Sequence, residues 1–182
     1  MPTPDEELVR RFGDGDESAF EELVGRFGDG LLALGLRLLG NREEALEIRQ
    51  MAFVTTYRKA GTFEGRARFS TWLHRVALNL CRDRLRERAR AAGRTATETP
   101  GELESEAPAP EIVAARGERA RSVAAAVLAL PPDEREVVVL RHYHDLSFPA
   151  IAEILGAPVT TVKSRMTRGL ERLRPRLAQF SS

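Results

Sequence analysis

The stretch LSFPAIAEILGAPVTTVKSRMTRGLERL, residues 146–173, decides the fold. Ser147 is placed to cap a short helix, and Pro149 falls in its first turn, where a missing N–H costs little. Ile151, Ile154 and Leu155 form one apolar stripe. Gly156 ends the helix, and Gly156-Ala157-Pro158 makes a tight turn. A second helix begins near Thr160 and runs to about Leu177. Two helices joined by a short glycine-containing turn form a helix-turn-helix.

The second helix divides its faces. Val162, Met166, Leu170 and Leu173 recur at intervals of four, four and three, which puts them on one side. Thr160, Ser164, Thr167 and Arg168 point the other way, and Lys163 and Arg165 flank that strip. A small polar centre with basic edges suits the major groove of DNA. Lysine and arginine reach phosphates, while serine, threonine and arginine reach base edges. An ordinary basic amphipathic helix shows a similar split, but the tight turn before this one favours DNA binding.

Working outward, Ile112 to Leu130 is rich in Ala and Val and reads as a helix broken by Pro131-Pro132. Another helix follows from Asp133 to about His144. Glu98 to Glu111 holds five glutamates, three prolines and no Lys or Arg, the composition of a disordered acidic linker. Further upstream, Ala19, Phe20, Leu23, Val24 and Phe27 follow helical spacing within residues 16–39. Asn41 followed by Glu44 resembles a capping box opening a helix to about Ala60. Gly61 to Phe69 is a loop, and Ser70 or Thr71 then caps a long helix to about Arg90. No strand is evident. The expected fold is all-α: two small helical bundles joined by a flexible linker, the second containing the helix-turn-helix. The boundaries fall at 1–91, 92–110 and 111–182.

The long helix near residue 71 shows a second split. Trp72, Leu73, Val76, Ala77 and Leu80 share an apolar side. Arg75, Asn79, Arg82 and Arg86 recur at four, three and four residues as a basic ridge. The loop before it carries Phe63, Arg66, Arg68 and Phe69. Aromatic rings beside arginines stack on unpaired bases, a pattern suited to melting DNA. Phe69 and Trp72 also read as plain core residues, which leaves Phe63 the better base contact.

Charge agrees. The 182 residues are 30% charged with net charge +1, but the signs are segregated. Residues 1–29 hold nine acidic and three basic side chains. Residues 66–90 hold eight arginines, and 159–176 hold six basic side chains against Glu171 alone. Two basic segments in a near-neutral chain point to two contacts with a polyanion. A single cysteine, Cys81, excludes a disulfide framework and fits a reducing cytoplasm. No apolar run approaches the ~20 residues that span a bilayer, so membrane insertion is not expected. From Met1 no signal peptide is visible, and no appended domain is expected beyond the last helix.

Taken in order, these segments resemble the extracytoplasmic-function (ECF) sigma factors of the sigma-70 family. DESAFEELVGRF resembles the family's opening helix. GNREEALEIRQMAF is similar to the helix that docks on the polymerase clamp. FSTWLHRVALNLCRDRLR is similar to the element that reads and opens the −10 region. LPPDEREVVVLRHYHDLSFPAIAEILGAPVTTVKSR resembles the domain that reads the −35 region. The resemblance implies core RNA polymerase and promoter DNA as partners, and an anti-sigma factor as a further one. It places Glu47 and Gln50 at the polymerase clamp. Asn79 and Asp83, with the preceding loop, would lie near −10 bases, and Lys163, Ser164, Thr167 and Arg168 at −35. The chain departs from the family at Leu46-Glu47 and Gln50-Met51, where Met51 stands in place of a carboxylate. The docking face thus has two carboxylates fewer. A linker of about 20 residues spans at most ~70 Å. That is roughly 20 base pairs at ~3.4 Å each, so one chain can reach both elements.

Two other classes compete. His142, His144 and Asp145 are close in sequence, but the i, i+2 spacing does not share a helix face. No nucleophile elbow or phosphate loop is present, so neither an enzyme, a metal site nor a cofactor is expected. The remaining alternative is a stand-alone helix-turn-helix regulator that binds its operator without polymerase.

Overall fold

The computed structural model describes residues 3–63, 65, 67–95 and 117–178, and these form eight α-helices with no strand among them. The first bundle holds α1 (Asp5–Gly13), α2 (Glu17–Leu39), α3 (Arg42–Lys59) and α4 (Phe69–Thr95), with a 3-10 turn at Ala60–Thr62. The second holds α5 (Gly117–Leu128), α6 (Pro132–His142), α7 (Phe148–Leu155) and α8 (Val159–Ala178).

α1 lies upstream of the first helix that the apolar spacing predicts. Acidic residues fill its first turn and Arg10 and Arg11 its last, matching the helix dipole, while Leu8, Val9 and Phe12 are buried. Asp16 accepts a hydrogen bond from the Ser18 N–H and starts α2. Gly40, at φ 70°, ends it in the left-handed region that glycine tolerates. Asn41 caps α3 by accepting from the Glu44 N–H at 3.0 Å. The expected box is only half made, because the Glu44 carboxylate turns instead to Arg88 of α4, whose Nε donates over 2.9 Å.

α4 differs from expectation at both ends. It begins at Phe69, before the expected caps Ser70 and Thr71, because Glu6 of α1 accepts the Phe69 N–H at 3.1 Å. A cap supplied by another helix leaves no local signal. The helix also continues through Thr95, so residues 92–95 are helical and not linker. Residues 96–110 of the expected linker, and 112–116 of the expected following helix, lie outside the described residues.

Leu23, Leu31, Leu34, Phe69, Leu73 and Leu78 are fully buried at the centre of the first bundle, each contributing about 1.5–3 kcal/mol by leaving water. α2 and α3 cross closely at Gly35. A Cβ added there would lie 2.9 Å from the Cα and Cβ of Ala45.

The bundles also touch each other. α2 packs on α5 and α6, and α4 on α7. Arg135 of α6 donates to the Leu38 carbonyl of α2 at 2.7 Å and to Leu130 at 3.0 Å. The Arg37 guanidinium stacks 3.9 Å above the Tyr143 ring. Arg82 makes two 2.7 Å hydrogen bonds to the carboxylate of Glu136. Cys81 is buried beside this contact, and burial pushes its thiol up to about 12, with Glu136 and Glu44 adding to the effect.

Candidate nucleic-acid interface

The helix-turn-helix forms as the sequence implies. Ser147 Oγ accepts from the Ala150 N–H at 3.3 Å and opens α7. Gly156, at φ 62°, closes it, and the Ala157 N–H donates back to the Ala152 carbonyl at 3.1 Å. α8 starts at once after Pro158. Its inner side holds Val162, Met166 and Leu173. The expected fourth member, Leu170, is instead 42% exposed. Gly169 takes the inward place, because α8 presses so close to α6 that an added Cβ would meet Val138 at 2.8 Å. A leucine cannot occupy a gap of that size, which spacing alone does not reveal.

Thr160, Lys163, Ser164, Thr167 and Arg168 are all exposed on the outer face of α8. Ser164 and Thr167 hydroxyls rest on the Thr161 and Lys163 carbonyls of their own helix, at 2.9 and 3.2 Å. Lys163 Nζ lies 6.0 Å from the Phe148 ring centre, tying α8 to α7. Arg165 is drawn sideways, its Nε 3.2 Å from Asp133. Glu134, 5% exposed, lies 2.9 Å from Arg172 Nε and 3.7 Å from Arg168 Nε. These two α6 carboxylates orient the basic edge of α8. Sequence reading missed them because they lie some 30 residues away; the acidic first turn after Pro131-Pro132 was their only trace.

The α4 ridge is divided. Asn79, Asp83 and Arg86 are exposed, with Arg86 donating to Asp83 at 2.6 Å. Arg75 and Arg82 are half-buried against the second bundle. Arg75 donates to the Glu153 carbonyl at the end of α7. Arg82 is gripped by Glu136, which raises its pKa. The helix-turn-helix bundle therefore covers two of the ridge's four members. Phe63 is half-buried rather than free, packed edge-on to Phe69 and Trp72 at 5.8 and 5.9 Å. Arg68 is exposed at a cleft shared with Glu6, Arg26 and Ser70. Arg66 lies outside the described residues.

On α3, Gln50 lines an open groove with Phe20, Val24, Leu46, Phe53 and Tyr57. Met51 is 48% exposed and Tyr57 55%. Glu47 is exposed and paired with Arg84 of α4.

The halves of the chain match two family models: residues 9–91 match sigma-70 region 2, and residues 120–173 match sigma-70 region 4. The chain is 35% identical over 176 residues to the ECF RNA polymerase sigma factor SigW of Bacillus subtilis (strain 168), covering 93% of this chain and 94% of that one. The chain belongs to the ECF sigma factors of the sigma-70 family. This sigma factor is also 33% identical over 178 residues to the RNA polymerase sigma-H factor of Pseudomonas aeruginosa, covering 92% of this chain and 90% of that one. The solved structure of CnrH in complex with the cytosolic domain of CnrY superposes with a TM-score of 0.71 at 27% identity, over 98% of this sigma factor and 99% of that chain. It is a transcription initiation factor and not an enzyme. Among the described residues no helix is long and apolar enough to cross a membrane.

Within this sigma factor the contact between the bundles is polar and imperfect. Arg75 Nε, Arg135 Nε and His144 Nε2 are buried there with no hydrogen-bond partner in the protein. Each such atom costs about 1–3 kcal/mol. Burial pushes the Arg135 pKa down, the mark of a cation held where water would serve it better.

Proposed function

We propose that this sigma factor binds core RNA polymerase in the cytoplasm and directs it to promoters, reading two DNA elements with its two bundles. Residues 1–91 dock on the polymerase clamp through Glu47, Gln50 and Met51 beside the α2–α3 groove. The same bundle meets the −10 element through Phe63, Arg66, Arg68, Arg75, Asn79, Arg82, Asp83 and Arg86. Residues 111–182 read the −35 element through Thr160, Lys163, Ser164, Arg165, Thr167 and Arg168. The segment after Thr95, to residue 110, connects the two.

The observation that carries this reading is the outward strip of α8, seated on a capped helix-turn-helix with Lys163, Ser164, Thr167 and Arg168 all open to solvent. Bases and phosphates are the partners that such a strip fits. Because Arg75 and Arg82 face the second bundle, the −10 role needs the bundles to separate on polymerase. A masking partner of the anti-sigma kind belongs to the same picture, since CnrH was solved bound to another protein's cytosolic domain.

Transcription in vitro tests the proposal. Core polymerase alone should start poorly at a candidate promoter, and adding the chain should produce one defined start site. A chain that leaves initiation unchanged, yet binds the promoter tightly by itself, makes this a stand-alone regulator.

A further inference from the structure

One part of the contact between the bundles is a pair of histidines. His74 of α4 and His144, just after α6, place Nε2 and Nδ1 3.3 Å apart, with ring centres 4.9 Å apart. His74 is 7% exposed. Neighbouring acceptors fix the tautomers. His74 Nδ1 lies 2.7 Å from the Ser70 carbonyl oxygen, which only accepts, so Nδ1 carries the hydrogen and Nε2 is bare. His144 Nδ1 must then donate to that bare nitrogen. His144 Nε2 is left without a hydrogen, a buried acceptor with no partner in the protein. The bond between the two rings is made only while both are neutral.

A single added proton breaks the arrangement at either ring. On His144 it creates a buried N–H with nothing to receive it. On His74 it sets two N–H groups face to face, or forces His144 into the other tautomer with the same orphan donor. The surrounding charges make matters worse. Arg37 on α2 bears on His144 together with His74. Arg75 on α4 and Glu153 on α7 are engaged with each other. Arg82 on α4 and Glu136 on α6 are likewise paired. Asp145, the next residue, and His142 are exposed.

We propose that His74 and His144 are a proton-sensitive latch: the bundles stay docked while both imidazoles are neutral, and proton uptake releases them and uncovers Arg75 and Arg82. The consequence for DNA rests on the two-element reading above; the latch itself does not. In the docked chain both histidines lie below the ordinary value of 6.5, chiefly because they are buried, His144 at about 3. The undocked form therefore takes up protons that the docked form refuses. Docking is at full strength above about pH 6.5 and weakens as pH falls below it. A single imidazole that titrates near 6.5 only when undocked shifts the docked-to-open ratio about 25-fold between pH 7 and pH 5.

Single-molecule energy transfer on the full chain reads that ratio. Dyes are placed through Arg58→Cys on α3 and Arg174→Cys on α8, both exposed, with buried Cys81 left unlabelled. The open fraction should rise about 25-fold relative to the docked one, reversibly and with helical circular dichroism unchanged. His74→Leu combined with His144→Leu should abolish the response, while His142→Leu keeps it. Should the double variant not fold, proton resonances of the wild-type histidines decide: those of His74 and His144 change only as the chain opens. A shift under threefold, opening only with loss of helix, an unaltered response in the double variant, or free titration of His74 and His144 while docked overturns the latch. A chain that opens in acid yet gives no promoter-directed initiation refutes the proposed function and leaves the latch standing.

Discussion

Replacing Gly35 or Gly30 of α2 by alanine introduces the same methyl group into the same helix with opposite consequences. At Gly30 an added Cβ meets nothing within 4 Å. Gly30→Ala should therefore gain the usual helix advantage of alanine over glycine, about 0.5–1 kcal/mol. At Gly35 the new Cβ would lie 2.9 Å from Ala45 Cα, a backbone atom that cannot rotate away. α3 must shift outward, and overpacking of this kind costs roughly 1–3 kcal/mol. The helix-propensity gain is common to both variants and cancels in their difference, which leaves about 1–3 kcal/mol separating them. For a chain of this size that corresponds to roughly 2–12 °C in melting temperature. Thermal or urea unfolding followed by circular dichroism at 222 nm measures it directly. Because Gln50 and Met51 ride on α3, Gly35→Ala should also weaken polymerase binding and Gly30→Ala should not. Equal stability of the two variants would refute the close crossing of α2 and α3, and with it the support it gives the proposed docking residues on α3.

Other consequences are as concrete. Arg168→Ala should lose about 1–3 kcal/mol of discrimination at the upstream promoter element, seen by competition binding of the holoenzyme to base-substituted promoters. Folding should barely change, since the exposed Arg168 shares Glu134 with Arg172; unchanged promoter choice would remove Arg168 from base readout. Met51→Glu puts a carboxylate at an exposed position of α3, and polymerase association by fluorescence anisotropy should be equal or tighter; a clear loss would show the methionine to be an adaptation of the proposed docking face. Cys81, with its pKa near 12, holds about a thousand-fold less thiolate than a thiol at 9.0, so iodoacetamide at pH 8 should modify it only after unfolding. Rapid labelling of the native chain would contradict the burial.

Much of this protein could be read from residue types at short range. Helices were legible because apolar side chains recur at 3.6-residue spacing and because Asn41, Ser147 and Gly156 act on backbone groups within a few residues of themselves. The outer strip of α8 was legible for the same reason, as was the order of segments that marks the family. What only the tertiary structure decided are the contacts between distant residues. Glu6 starts α4 from α1, and Gly169 displaces Leu170 because two helix axes come too close for anything larger. The α6 carboxylates steer Arg165 and Arg172, and Arg75, Arg82, His74 and His144 meet across the bundles. A charged residue on a helix face looks the same in sequence whether it meets DNA, water or another helix. Its periodicity records which side it occupies, and only the packing of the whole chain settles what lies opposite.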